Sequence, residues 1–135
     1  MRFVDTNVLL YAISTATESA TKASVARRIL MERDLALSAQ VLQEFYVQST
    51  RQSRQGALRH DDAALLIRTW LRFHVQDVTA GIVMAALATH ARWQLSYWDA
   101  AIIEAARACG CDTVLSEDMQ HGQHFDGVQV INPFR

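Results

Sequence analysis

Short β-type runs alternate with longer helical patterns along this chain. That alternation constrains the fold more than any other feature, because parallel strands need a crossover, usually helical, between each pair. Arg2-Phe3-Val4 reads as a strand, and Leu9, Leu10 and Ile13 fall at helical spacing, predicting a helical turn or two over Thr6 to Ile13. A second helix is predicted from about Ser19 to Arg33, where Ala23, Ala26, Ile29 and Leu30 form one apolar stripe. Leu35 to Leu37 follows as a strand ending at Ser38, an N-cap for a helix reaching roughly to Ser53. Asp61 and Asp62 open another helix through Phe73, and Val75 to Val78 reads as a short strand. Thr79 caps a helix to about Trp93; Ser96 or Tyr97 opens one to Ala108, with Gly110 as its left-handed closing residue. Thr113 to Ser116 is the next strand, and a loop rich in Asp, Gly and His leads to the last, Val128 to Ile131. The pattern predicts an open α/β fold of four to five parallel strands.

The 135 residues have the size of one domain, and no Pro/Ser/Gly-rich linker divides them, so residues 1–135 are expected to form a single domain. Half of the residues are hydrophobic and a fifth are charged, which excludes a disordered chain. The longest uncharged stretch, Val78 to Ala91, is broken by polar residues and falls short of the roughly 20 apolar residues that cross a bilayer. Asp5 interrupts the apolar region that a secretory signal would need, so a cytoplasmic location is expected. Cys109-Gly110-Cys111 has neither long-range disulfide nor CxxC spacing and reads as a pair of small buried residues. The net charge of −1 denies a general attraction to nucleic acid but allows a local basic patch.

In such a sheet the ligand crevice lies at the carboxyl ends of the strands. Four acids are predicted there. Asp5 follows the first strand, Glu44 lies about two turns into the helix after the second, Asp99 is in the first turn of its helix, and Asp118 follows the Thr113 to Ser116 strand. Asp99 shares a helical stripe with Ile102, Ile103 and Ala106, and Glu44 has Val41 and Val47 three residues to either side. A carboxylate on an apolar stripe needs a partner, and no Lys or Arg lies within a helical turn of either. A divalent cation such as Mg²⁺ fits, since it takes oxygen ligands and leaves positions for a phosphate and an attacking water. Taken singly, Asp5 also reads as a helix cap, Asp99 as a favourable charge at a helix N-terminus and Asp118 as a turn cap.

Phe3-Val4-Asp5-Thr6-Asn7-Val8-Leu9-Leu10-Tyr11-Ala12 resembles the opening motif of PIN-domain ribonucleases, in particular the VapC-type toxins of type II toxin–antitoxin pairs. The resemblance continues in order through Gln43-Glu44-Phe45, Ser96-Tyr97-Trp98-Asp99-Ala100-Ala101-Ile102 and Leu115-Ser116-Glu117-Asp118-Met119, then Val130-Ile131-Asn132-Pro133-Phe134. It implies a PIN-like three-layer α/β/α sandwich and Mg²⁺- or Mn²⁺-dependent endonucleolytic cleavage of RNA. Asp5, Glu44, Asp99 and Asp118 would be the catalytic and metal-binding quartet, supported by Thr6, Asn7 and Ser116. Glu44 would either complete the metal shell or orient the water. Glu117, beside Asp118, departs from the pattern and would either share or replace that metal contact.

The resemblance further implies a VapB-like antitoxin partner, placing a basic side chain toward the four acids, and a homodimer. Apolar residues Ile29 and Leu30, and Leu65, Leu66, Trp70 and Phe73, are compatible with such a dimer. Arg51, Arg54 and Arg59 follow the Glu44 helix and read either as RNA phosphate contacts or as a solvated loop, and His121 and His124 as loop residues or substrate contacts. Competing classes are weaker or unresolved. A haloacid dehalogenase-type phosphatase needs an Asp where Asn7 stands, and a phospho-receiver needs a Lys near the last strands, whereas Lys22 is the one lysine. A housekeeping PIN nuclease in RNA processing and a catalytically silent PIN-like binding module remain as alternatives.

Overall fold

The computed structural model describes residues 1–135. Six strands form one sheet: β1 (Arg2–Val4), β2 (Leu35–Ser38), β3 (His74–Gln76), β4 (Thr113–Leu115), β5 (His124–Phe125) and β6 (Val128–Ile131). Their order is β3-β2-β1-β4-β6-β5; every pairing is parallel except β5 with β6. The helices are α1 (Thr6–Ala12), α2 (Ala20–Leu30), α3 (Ala39–Ser49), α4 (His60–Trp70), α5 (Ala80–Trp93) and α6 (Tyr97–Ala108). From β1 the chain winds outward through β2 to β3, then returns through α5 and α6 to place β4 on the other side of β1. Right-handed crossovers therefore put α1 to α4 on one face and α5 and α6 on the other. This is the expected three-layer sandwich. It reverses direction between β1 and β4, where a doubly wound sheet opens its crevice.

The core follows the strand pattern. All four residues of β2 are buried, as strands covered on both faces require, together with Phe3, Val4, Val114, Leu115, Val128 and Val130. Phe45 and Trp70 meet edge to face at 4.7 Å and join α3 to α4, while Trp93 and Phe125 meet at 5.3 Å beneath the far edge. Ser38, Thr79 and Ser96 each accept a backbone N–H three residues on, capping α3, α5 and α6 as the sequence predicts.

The differences are local. Helix α3 stops at Ser49 rather than near Ser53, because the Thr50 hydroxyl turns back onto the Tyr46 carbonyl and Leu58 N–H takes the Ser49 carbonyl. Strand β3 is His74–Gln76 and leaves Val78 exposed. The short antiparallel β5 is absent from the sequence prediction. It pairs with β6 across Asp126 and Gly127, both at positive φ (49° and 93°), the backbone a tight two-residue hairpin demands. Ile29, Leu30, Trp70 and Phe73, expected as surplus apolar surface, lie in this chain's own core, and of that set Leu65 is the exposed one. Cys109 and Cys111 are free thiols with sulfurs 3.7 Å apart; burial pushes the Cys111 thiol up to about 12. No helix is long and apolar enough to cross a membrane.

Candidate active site

Asp5 leaves β1 at the reversal point and is almost wholly buried. One carboxylate oxygen accepts the Thr6 N–H at 2.7 Å, so the residue caps α1. The other accepts the Ser116 hydroxyl at 2.7 Å from the end of β4. The cap reading and the site reading of Asp5 thus describe one side chain. Ser116 Oγ also accepts the Asp118 N–H at 3.1 Å, which fixes the turn presenting Asp118. Asn7 completes the bridge. Its amide nitrogen lies 3.2 Å from both Ser116 Oγ and Asp118 Oδ2 and 3.5 Å from Asp5 Oδ2, and its oxygen accepts the Glu117 N–H.

Glu44 approaches from α3. The Thr6 hydroxyl donates to one of its oxygens at 2.7 Å, and the Gln40 amide donates to the other at 3.0 Å. The same Gln40 nitrogen reaches the Trp98 carbonyl at 3.2 Å, tying α3 to the start of α6, where Asp99 sits in the first turn. Asp99 is half-buried and Asp118 exposed. The stripe expected for Glu44 is one-sided, since Val41 is buried but Val47 faces outward.

The electrostatics match a cation site. Burial, opposed by its hydrogen bonds and aided by Asp118 and Glu44, pushes the Asp5 carboxyl up to about 7; burial, with the same two neighbours, also raises Asp99. None of the four acids takes part in an ion pair. The contrast is Glu104, also buried on α6, whose oxygens are held by the Arg107 guanidinium at 3.0 Å and the Thr89 hydroxyl at 2.8 Å. A buried acid with a built-in cation is structural; Asp5 lacks one. The donors are hard carboxylate oxygens, the kind that Mg²⁺ and Mn²⁺ take. As they stand, no three acidic, histidine or cysteine side chains are close enough to hold a metal ion; Asn7, Ser116, Thr6 and Gln40 occupy the acids' oxygens with hydrogen bonds, beside an open cleft.

That cleft, about 300 Å³, is lined by Glu44 and Asp118 with Thr6, Asn7, Gln48 and Arg54. Arg54 therefore shares the cleft wall with Glu44 and Asp118, whereas Arg51 lines an adjoining cavity and Arg59 lines neither. Glu117 also borders the cleft but is engaged by Lys22 and Tyr11, at 3.0 and 2.8 Å. His121 accepts the Asn132 N–H, and neither it nor His124 lines the cleft. The sequence alone gives Gln40, Lys22 and Tyr11 no role at the site. Gln40 and Glu44 stand at i and i+4 on one helix, a spacing that signals their hydrogen bond, but nothing local pairs Lys22 with Glu117.

The PIN domain family model matches residues 2–123, and this chain belongs to that family. A search of curated proteins finds no match. Among solved structures, a chain of a toxin–antitoxin complex from Klebsiella pneumoniae superposes with a TM-score of 0.73 at 16% identity, covering 98% of both chains. VapC20 of Mycobacterium tuberculosis, a toxin that cleaves the sarcin-ricin loop, gives 0.67 at 22% identity over 87% of this chain and 90% of its own. A chain of VapBC2 from Rickettsia felis, bound to a DNA fragment from its promoter, gives 0.65 at 14% identity over 96% of each. At these identities the likeness is one of fold.

Proposed function

We propose that this PIN-domain protein is a divalent-metal-dependent endoribonuclease and the toxin of a VapBC-type toxin–antitoxin pair. The observation that carries the reading is that four acids from four separate segments come together without a compensating ion pair: Glu44 and Asp118 line one cleft, and Asp5 and Asp99 lie near enough to feel the charge of both. Asp5, Asp99 and Asp118 would hold Mg²⁺ or Mn²⁺, directly or through water, with Glu44 completing the set or orienting the attacking water. The bound ion would supply Lewis-acid activation of water and stabilise the charge that develops on the phosphate.

The chain's own groups set the geometry. Ser116 and the Thr6 N–H fix Asp5, Asn7 spans Asp5 and Asp118, and Thr6 with Gln40 fixes both oxygens of Glu44. Arg54, on the cleft wall, would meet a phosphate of the RNA backbone. A groove between α3 and α4, lined by Leu42, Tyr46, Val47 and Ile67, would seat the apolar segment of an antitoxin, which then directs a basic side chain to the acids. A homodimer belongs to the same reading.

The test is cleavage of total RNA by the purified protein with Mg²⁺ or Mn²⁺, repeated in EDTA and with Asp5→Asn. Cleavage that requires metal and Asp5 supports the nuclease; full activity of Asp5→Asn refutes the metal mechanism. Growth arrest on expression of the wild-type chain, relieved by the product of an adjacent gene, separates a toxin from a housekeeping nuclease.

A further inference from the structure

Trp98 is the most exposed aromatic side chain at the site, 63% accessible, and it directly precedes Asp99. It is not loosely placed. Its carbonyl is held by Gln40, the residue that also holds Glu44, and its ring meets Tyr97 edge to face at 5.1 Å and 82°. A second cavity of about 300 Å³ lies beside it, lined by Trp98, Arg51, Gln40, Gln43, Gln48, Val47 and Glu44. Glu44 and Gln48 also line the acidic cleft, so the two cavities share these side chains as a common wall. Arg51 makes no ion pair or side-chain hydrogen bond within the chain.

An exposed π-face, an unpartnered guanidinium and amide side chains beside a phosphodiester-binding cleft match the parts of a nucleotide: base, phosphate and base edge. Unstacked bases of single-stranded RNA are recognised by stacking on aromatic rings, with Arg on the backbone. We propose that this second cavity is a nucleotide subsite of the nuclease, in which Trp98 stacks the base of a nucleotide flanking the cut phosphodiester and Arg51 contacts its phosphate. The inference rests on the nuclease reading above. It makes Trp98 a specificity-determining residue, selecting unpaired RNA over duplex.

The experiment measures binding of a short single-stranded RNA to the Asp5→Asn protein, where cleavage is blocked, by anisotropy and by quenching of tryptophan fluorescence. Added Trp98→Ala should weaken binding by about 5- to 150-fold, the range for one lost base stack, and Trp98→Phe should recover much of it. Oligonucleotides carrying one abasic site, moved along the strand, should identify a position at which base removal weakens binding to Asp5→Asn but not to Asp5→Asn/Trp98→Ala. In the active protein, Trp98→Ala should raise KM more than it lowers kcat. Equal RNA affinity with and without Trp98 overturns the subsite while leaving the nuclease reading intact, and would assign the exposed ring to a protein contact. Absence of RNA binding by Asp5→Asn overturns both.

Discussion

Lys22 Nζ lies 3.0 Å from Glu117 Oε2, and the pair crosses from α2 to the turn after β4. Tyr11 adds its hydroxyl to the other oxygen of Glu117, and its ring lies under the ammonium. Of two adjacent acids after β4, one is thus engaged by a cation and the other is left for the cleft. Glu117→Gln should therefore keep metal-dependent cleavage to within about one order of magnitude, the low end of losses for groups that act through a ligand. Asp118→Asn should lose far more. Metal titrations of the two variants check this, and the reverse order would exchange the roles of the two acids.

Asp5 should make the metal-free protein less stable as pH rises. Below its ordinary value of 3.8 the carboxyl is protonated in both the folded and unfolded chain. Between 3.8 and about 7 the unfolded chain releases the proton while the folded one retains it, so stability falls through that window and then levels off. Asp5→Asn removes this loss. In EDTA at pH 8 the variant should be more stable than wild type by up to about 4 kcal/mol, and by much less at pH 4. Urea denaturation at the two pH values measures the difference.

Metal binding should displace the same proton. With Asp5 half protonated near neutrality, Mn²⁺ affinity should fall as pH drops below about 7, and binding should release a fraction of a proton that shrinks as pH rises above it. Calorimetry in two buffers of different ionisation enthalpy reads the proton directly. A pH-independent affinity with no proton released would remove Asp5 from the ligand set.

The basic loop should act unevenly. Arg54 lines the acidic cleft and Arg51 the adjoining cavity, while Arg59 stands at the N-terminus of α4 and lines neither. In the Asp5→Asn background, Arg51→Ala and Arg54→Ala should each lower the salt dependence of single-stranded RNA binding by about 0.7 per phosphate contact, and Arg59→Ala should leave it unchanged. A uniform effect of all three would indicate general charge attraction instead.

Ser116→Ala should reduce cleavage by about 10- to 100-fold without removing it, because the hydroxyl holds Asp5 and the Asp118 turn but is not itself needed for chemistry. Its effect should be smaller than that of Asp5→Asn in the same assay.

The sheet and its helices were legible because the signals are local: alternating runs, and Ser38, Thr79 and Ser96 before their helices. Asp5 and Asp118 could be read just beyond β1 and β4 for the same reason, and Glu44 and Asp99 on the helices that carry them. Their linkage could not, since it runs through pairs such as Thr6 with Glu44, 38 positions apart, and Asn7 with Ser116, 109 apart. The β5 hairpin went unread although Asp126-Gly127 carries a hairpin signal, because only two residues pair before it. The apolar stripes of α2 and α4, compatible in sequence with a dimer, bury Ile29, Leu30, Trp70 and Phe73 within the chain and leave Leu65 outside, a division that only the packed structure decides.

The sheet's central slot has a temporal consequence. Strand β1 is made first, yet its second edge stays open until β4 arrives, and Asp5 then meets Ser116 across 111 positions. A closure of that span is entropically slow and must await synthesis of the chain's far end. On a translating ribosome the nascent polypeptide would carry Asp5 and Glu44 for most of its elongation without the turn that presents Asp118. On the nuclease reading, the acidic set would then be incomplete until that turn has been made, so strand order would delay activity to the end of synthesis.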